Sequence, residues 1–191
     1  MKWVFFVSGT RFDTPISLCY NRPMKKNIVL TGFMGAGKSV TAKCLAVALG
    51  APEYSTDSLV EQKAGQPISE IFLRQGEGSF RRLESEIVLG LAKKRGAIID
   101  CGGGVVLNPE NMKALRKNGI IFYLFATPEI VWERVKNQKH RPLLDVKDPL
   151  AEIQRLLSQR EPLYRQADHT IDTKGLTGQT TCDAVLKILH E

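Results

Sequence analysis

No apolar run in this 191-residue chain approaches the 18 or so residues that a membrane-crossing helix needs, so no membrane span is expected. Cysteine is sparse. Cys19, Cys44, Cys101 and Cys182 have no C-x-x-C spacing and no neighbouring histidine, which speaks against a zinc site or a disulfide framework. They read as buried or half-buried thiols in a reducing cytosol, and only Cys101, beside a glycine run, is of chemical interest. Aromatics make up 7% of the chain and do not interleave with basic residues, so the stacking platform of a single-strand nucleic-acid binder is missing. Repeats and low-complexity tracts are absent, as is the N-K-x-D sequence that selects guanine.

A net charge of +7 invites a nucleic-acid reading, but its distribution weakens it. Residues 1–26 hold Lys2, Arg11, Arg22, Lys25 and Lys26 against Asp13, leaving only +3 of the +7 for the rest. That excess suits a pocket for small anions. Lys2 followed by Trp3–Val7 resembles the start of a signal peptide, but the apolar run is too short and no small-residue cleavage site follows. Met24 then opens a strand-like segment. Residues 1–23 are therefore expected to be a dispensable extension, and residues 24–191 the functional domain.

An apolar fraction of 43% and a charged fraction of 25% are those of an ordinary globular protein of one domain. Strand and helix signals alternate. Ile28–Thr31, a weak Glu53–Thr56, Ala97–Asp100, Ile120–Phe125 and His169–Thr173 read as strands. Lys38–Leu49, Ser58–Ala64, Ser69–Gln75, Glu77–Lys94, Pro109–Lys117, Pro128–Lys136, Leu150–Arg165 and Thr180–His190 read as helices, several closed by glycine. Such alternation predicts an α/β sandwich with a mostly parallel sheet and ligands at the carboxyl ends of its strands. The polar, proline-broken stretch 137–148 lies between two helices and is expected to be a mobile lid.

Gly32–Ser39, GFMGAGKS, follows a strand and opens a helix, the setting a P-loop requires. Its glycines let backbone N–H groups converge on phosphates, and the helix N-terminus adds positive potential. Gly35, Ala36, Gly37 and Val40 are expected to line a nucleotide, Lys38 to reach its β- and γ-phosphates, and Ser39 to offer a hydroxyl to Mg²⁺. A P-loop alone leaves a GTPase, an ATPase motor and a small-molecule kinase open. Without N-K-x-D, and in a chain too short for a motor, the small-metabolite kinase is left.

Further motifs sharpen this. They are Ser55-Thr56-Asp57, Phe80-Arg81-Arg82-x-Glu84, Gly102-Gly103-Gly104, Arg141-Pro142-Leu143-Leu144, and Arg160-x-Pro162-Leu163-Tyr164 with Ala167-Asp168. In this order and spacing, the chain from Met24 to about Asp172 resembles the shikimate kinase family, which phosphorylates the 3-hydroxyl of shikimate with MgATP. The resemblance implies a three-layer sandwich with a mostly parallel five-stranded sheet; a cytoplasmic location and a monomer are expected beside it, though the residues themselves do not give the oligomeric state. It implies that Asp57 binds and orients the acceptor's hydroxyls, that Arg81 and Arg160 clamp its carboxylate, and that Gly102, Gly103 and Gly104 form a surface no side chain could occupy. Glu84 is expected to hold Arg81. Arg141 is expected to close onto the transferring phosphoryl, and Arg134 to stack on adenine.

The chain departs from the family in two places. An Asp-x-Asp is usual at the second strand, and here its first position is Ser55. Asp100, ending the run Ala97-Ile98-Ile99, is the candidate replacement for the metal-supporting carboxylate. The proline usual near the adenine falls around Gly178. These departures leave two other readings open: a kinase of another polyhydroxy acid such as gluconate, and a nucleotide-binding regulatory module without catalysis.

Overall fold

The computed structural model describes residues 25–137, 144 and 146–190. Five strands form one sheet in the order β2-β3-β1-β4-β5: β1 (Asn27–Thr31), β2 (Glu53–Ser55), β3 (Ile98–Asp100), β4 (Gly119–Phe125) and β5 (His169–Asp172). Every pairing is parallel, so the expected α/β sandwich is present and its sheet is wholly rather than mostly parallel. Helices α1 (Lys38–Leu49), α2 (Thr56–Ala64), α3 (Ile68–Leu91), α4 (Pro109–Asn118), α5 (Pro128–Val135), α6 (Pro149–Tyr164) and α7 (Gly178–His190) connect and cover the strands.

Apolar residues run without alternation along β1, β3 and β4 because both faces of a covered parallel sheet are buried. Ile28, Leu30, Ile98, Ile99, Ile121 and Phe122 are at most 1% exposed and form the centre of the core with Leu45 of α1. A second cluster, Val60, Ile71 and Phe80, ties α2 to α3. The chain crosses from one side of β1 to the other, and the P-loop leaves β1 at that switch point, where open α/β sheets bind ligands.

Local chemistry explains the boundaries. Asn108, Thr127 and Asp148 cap α4, α5 and α6, each followed by a proline in the first turn. Gly50 and Gly65 close α1 and α2 in the left-handed conformation. The two helices expected on either side of Gly76 form one element, α3, broken at Gly76, whose φ of 78° and ψ of 167° are not helical. Helix α2 starts two residues earlier than expected. Ser55 is its cap, accepting from Ser58 N at 3.3 Å, so Asp57 sits inside the first turn rather than at its border.

One sequence expectation is overturned. Cys44 and Cys182 are bonded, with their Cα atoms 6.1 Å apart, and are not separate thiols. A sequence separation of 138 conceals the pairing, which arises only because α1 packs on α7. Cys101 is a buried free thiol, its pKa pushed well up by burial and by the neighbouring carboxylates of Asp100 and Glu84, which disfavours the reactive thiolate. Cys19, residues 1–23, expected to be an extension, and Arg141, expected in a lid, lie outside the described residues.

Candidate active site

The P-loop is set by three glycines in the positive-φ region, Gly32 at 141°, Gly35 at 72° and Gly37 at 94°. Methyl groups at Gly32 and Gly35 would meet the Leu124 carbonyl and the Val135 side chain, so the loop lies tight against β4 and α5. Lys38 Nζ donates to the Phe33 carbonyl at 3.0 Å, folding the lysine over the loop. Ser39 Oγ donates to Asp100 Oδ2 at 2.6 Å. Asp100 is 5% exposed, and on the adjacent strand it is register-paired with Ser55. The Ser55 hydroxyl caps α2, and it also lines the cavity of about 510 Å³ that Ser39 and Asp100 border.

Beside the P-loop lies a second cavity, of about 550 Å³. Asp57, Arg81, Glu84, Arg160 and Gly102–Gly104 all line it, so residues from α2, α3, α6 and the β3 loop meet in one place. Met34 of the P-loop lines it too, which makes phosphate cradle and cavity continuous. Arg81 is fixed from two sides: Nη1 donates to Glu84 Oε2 at 2.7 Å, while Nε and Nη2 donate to Glu77 Oε1 at 3.1 and 2.9 Å. These partners raise its pKa against the opposing pull of burial, the largest influence on it. Arg160 is only 6% exposed and lies 5.8 Å from the centre of the Phe33 ring. Two guanidinium groups in one half-enclosed pocket call for an anionic ligand, and their planar geometry suits a carboxylate.

Glu84 is 1% exposed, and its Oε1 has no hydrogen-bond partner among the described residues. Its pKa is raised, first by desolvation and also by the charge of Asp57, while Arg81 and Arg160 oppose the shift. The glycine run is shaped by these same side chains. A methyl group on Gly102 would collide with Asp57 Oδ1, and one on Gly104 with the Arg81 guanidinium. Gly102 N donates to Thr56 Oγ1 at 2.7 Å, and the Tyr164 hydroxyl donates to the Gly103 carbonyl. Tyr164 in turn stacks on Tyr123, their ring centres 5.0 Å apart. Thr56 and Tyr164 stood inside the sequence motifs, but nothing in a linear motif shows that their hydroxyls anchor glycines 46 and 61 residues away.

On the far side of the P-loop a smaller cavity of about 130 Å³ is lined by Ala36, Gly37, Val40, Arg134, Thr173 and Gly178, among others. Arg134 is committed to hydrogen bonds with Gly35 O and with Thr173 Oγ1 and O, at 3.0–3.1 Å, so it bridges the P-loop to the segment after β5. Gly178 touches Val40, and a side chain at Gly178 would overlap it.

The family model for shikimate kinase matches residues 34–190. The chain belongs to the shikimate kinase family. The shikimate kinase of Caldanaerobacter subterraneus subsp. tengcongensis is 46% identical over 162 residues, covering 85% of this chain and 95% of that protein. The shikimate kinase of Thermodesulfovibrio yellowstonii is 45% identical over 162 residues, covering 85% and 94%. Among solved structures, shikimate kinase from Acinetobacter baumannii in complex with shikimate superposes with a TM-score of 0.85 at 32% identity, covering 92% of this chain and 97% of that one. Membership carries ATP-dependent phosphorylation of shikimate in aromatic biosynthesis. Among the described residues, no helix is long and apolar enough to cross a membrane.

Proposed function

We propose that the cavity lined by Asp57, Arg81 and Arg160 holds shikimate, that ATP lies along the P-loop towards Arg134, and that the γ-phosphoryl passes in line to the acceptor's 3-hydroxyl. The observation that carries this reading is the convergence of Arg81, Arg160, Asp57 and the glycine surface in one cavity continuous with the P-loop. Arg81 and Arg160 hold the acceptor's carboxylate, and Glu84 and Glu77 keep Arg81 aimed. Asp57, packed against Gly102, accepts hydrogen bonds from the ring hydroxyls and orients the attacking oxygen. Lys38 and the lid's Arg141 neutralise the charge on the transferring group. The nucleotide lies along Gly35–Val40, with its base at the Arg134 side.

The hard oxygen donors beside the phosphate cradle fit Mg²⁺, since Ser39 Oγ and Asp100 Oδ2 are already 2.6 Å apart. Ser39 and Asp100 would hold the ion, which when bound neutralises charge on the β- and γ-phosphates. A coupled ADP-release assay with shikimate, with gluconate and without acceptor tests the reading. Turnover that requires shikimate is expected; equal turnover with gluconate, or none with either acceptor, would overturn it.

A further inference from the structure

The helix that starts at the P-loop and the last helix of the chain lie side by side, and two contacts repeat along them at the same interval. Val40 of α1 meets Gly178 of α7, and four residues further along each helix Cys44 meets Cys182. Four residues are about one turn, so the two contacts stack on one seam. Gly178 is what lets the helices approach: any side chain there would overlap Val40. The sulfur pair therefore sits one turn below the wall formed by Val40 and Gly178 in the small cavity at the Arg134 side of the P-loop. Cys182 is fully buried, whereas Cys44 is half-buried and reachable from solvent. Both states of the pair are accommodated. The Cα separation of 6.1 Å lies within the range for a disulfide, and Gln179 Oε1, 3.3 Å from Cys44 Sγ, is an acceptor for the thiol of the reduced form.

We infer that Cys44 and Cys182 form a reversible thiol–disulfide couple that tightens the nucleotide site by clamping α7 to the P-loop helix. The co-reactant is a small-molecule disulfide of the glutathione class. The Cys44 thiolate attacks one of its sulfurs, forming a mixed disulfide and expelling one thiol. Cys182 then attacks Cys44 Sγ, loses its proton and expels the second thiol. Two protein thiols are thus oxidised to one disulfide as one external disulfide is reduced to two thiols. With the link made, Val40, Gly178 and the segment after β5 are held in place before nucleotide arrives, so less ordering accompanies binding. With the link broken, the seam retains its packing but loses its covalent constraint.

The coupling rests on reading the P-loop as the nucleotide site, so the test measures the bond and the affinity separately. The full chain is equilibrated in glutathione buffers spanning reduced to oxidised. It is then blocked with an alkylating agent and mapped by mass spectrometry without reduction, while ADP affinity is measured by calorimetry at both extremes. A linked Cys44–Cys182 peptide that disappears under reduction is expected, together with a Kd for ADP about threefold or more higher in the reduced protein. Cys44→Ser, and independently Cys182→Ala, should bind like the reduced protein in both buffers. Alkylation of both cysteines at every buffer composition would overturn the couple. Equal Kd values in a protein whose link does form would overturn the coupling, and no binding in either state would remove the nucleotide reading on which it rests.

Discussion

Asp100 offers the sharpest test of how this site departs from its family. Replacing it with asparagine keeps the size of the side chain and leaves an oxygen to accept from Ser39 Oγ, now 2.6 Å from Asp100 Oδ2, but removes the charge. A hydrogen bond to a charged partner contributes roughly 1.5–3 kcal/mol and a neutral one roughly 0.5–1.5, so the exchange costs about 1–1.5 kcal/mol before any loss of direct attraction to a dication. That bond is present without metal, so the affinity falls by a separate amount, the lost attraction between dication and carboxylate; at about 1.4 kcal/mol or more, a factor of ten, the Mg²⁺ concentration for half-maximal ADP release should rise about tenfold or more. Titrating Mn²⁺ into the ADP complex by electron paramagnetic resonance reads the same affinity without turnover. Because Ser55 and Asp100 are register partners on neighbouring strands, Ser55→Asp should restore much of the loss in the Asp100→Asn background. Aspartate at position 55 can still cap α2 as serine does, so the rescue should not unsettle the helix. Unchanged metal midpoints in Asp100→Asn by both methods would refute the relocation of the carboxylate from position 55.

Gly104→Ala places a methyl group against the flexible Arg81 guanidinium, which can shift, so the fold should survive while the KM for shikimate rises about tenfold or more, the loss of one charge-assisted bond; calorimetry and steady-state kinetics together check this. Arg141→Ala should lower kcat more than it raises KM, and the reverse split would recast Arg141 as a ground-state binder. Glu84 has its pKa raised chiefly by desolvation, so its contribution to stability is full below the ordinary carboxyl range and is lost as pH rises through the folded value. The difference in Tm between the wild type and Glu84→Gln should therefore fall as pH rises through the acid range, and a flat difference would contradict the burial argument. A variant starting at Met24 should fold and turn over shikimate like the full chain, as circular dichroism and the ADP-release assay can show.

Much of this protein was determined locally, and for that reason the sequence alone could be read. Strand β1, the glycines of the P-loop, Lys38 and Ser39 are consecutive, and the phosphate cradle needs only their backbone geometry and one helix end. The break at Gly76 and the continuous apolar runs of β1, β3 and β4 were legible for the same reason, since each depends on residues within a few positions. What lay beyond the sequence depends on contacts between distant segments. Asp57 is 45 positions from Gly102, yet each leaves room for the other, and only the parallel pairing of β2 with β3 brings their loops together. The Tyr164 hydroxyl anchors Gly103 because α6 crosses back over the sheet, and the cysteine pair joins α1 to α7 across 138 residues. Helical or strand periodicity says which face of an element is buried but not which other element it meets. The sequence thus determined the cradle and the chemistry of the clamp, while tertiary packing decided which hydroxyls, carboxylates and sulfurs hold them in place.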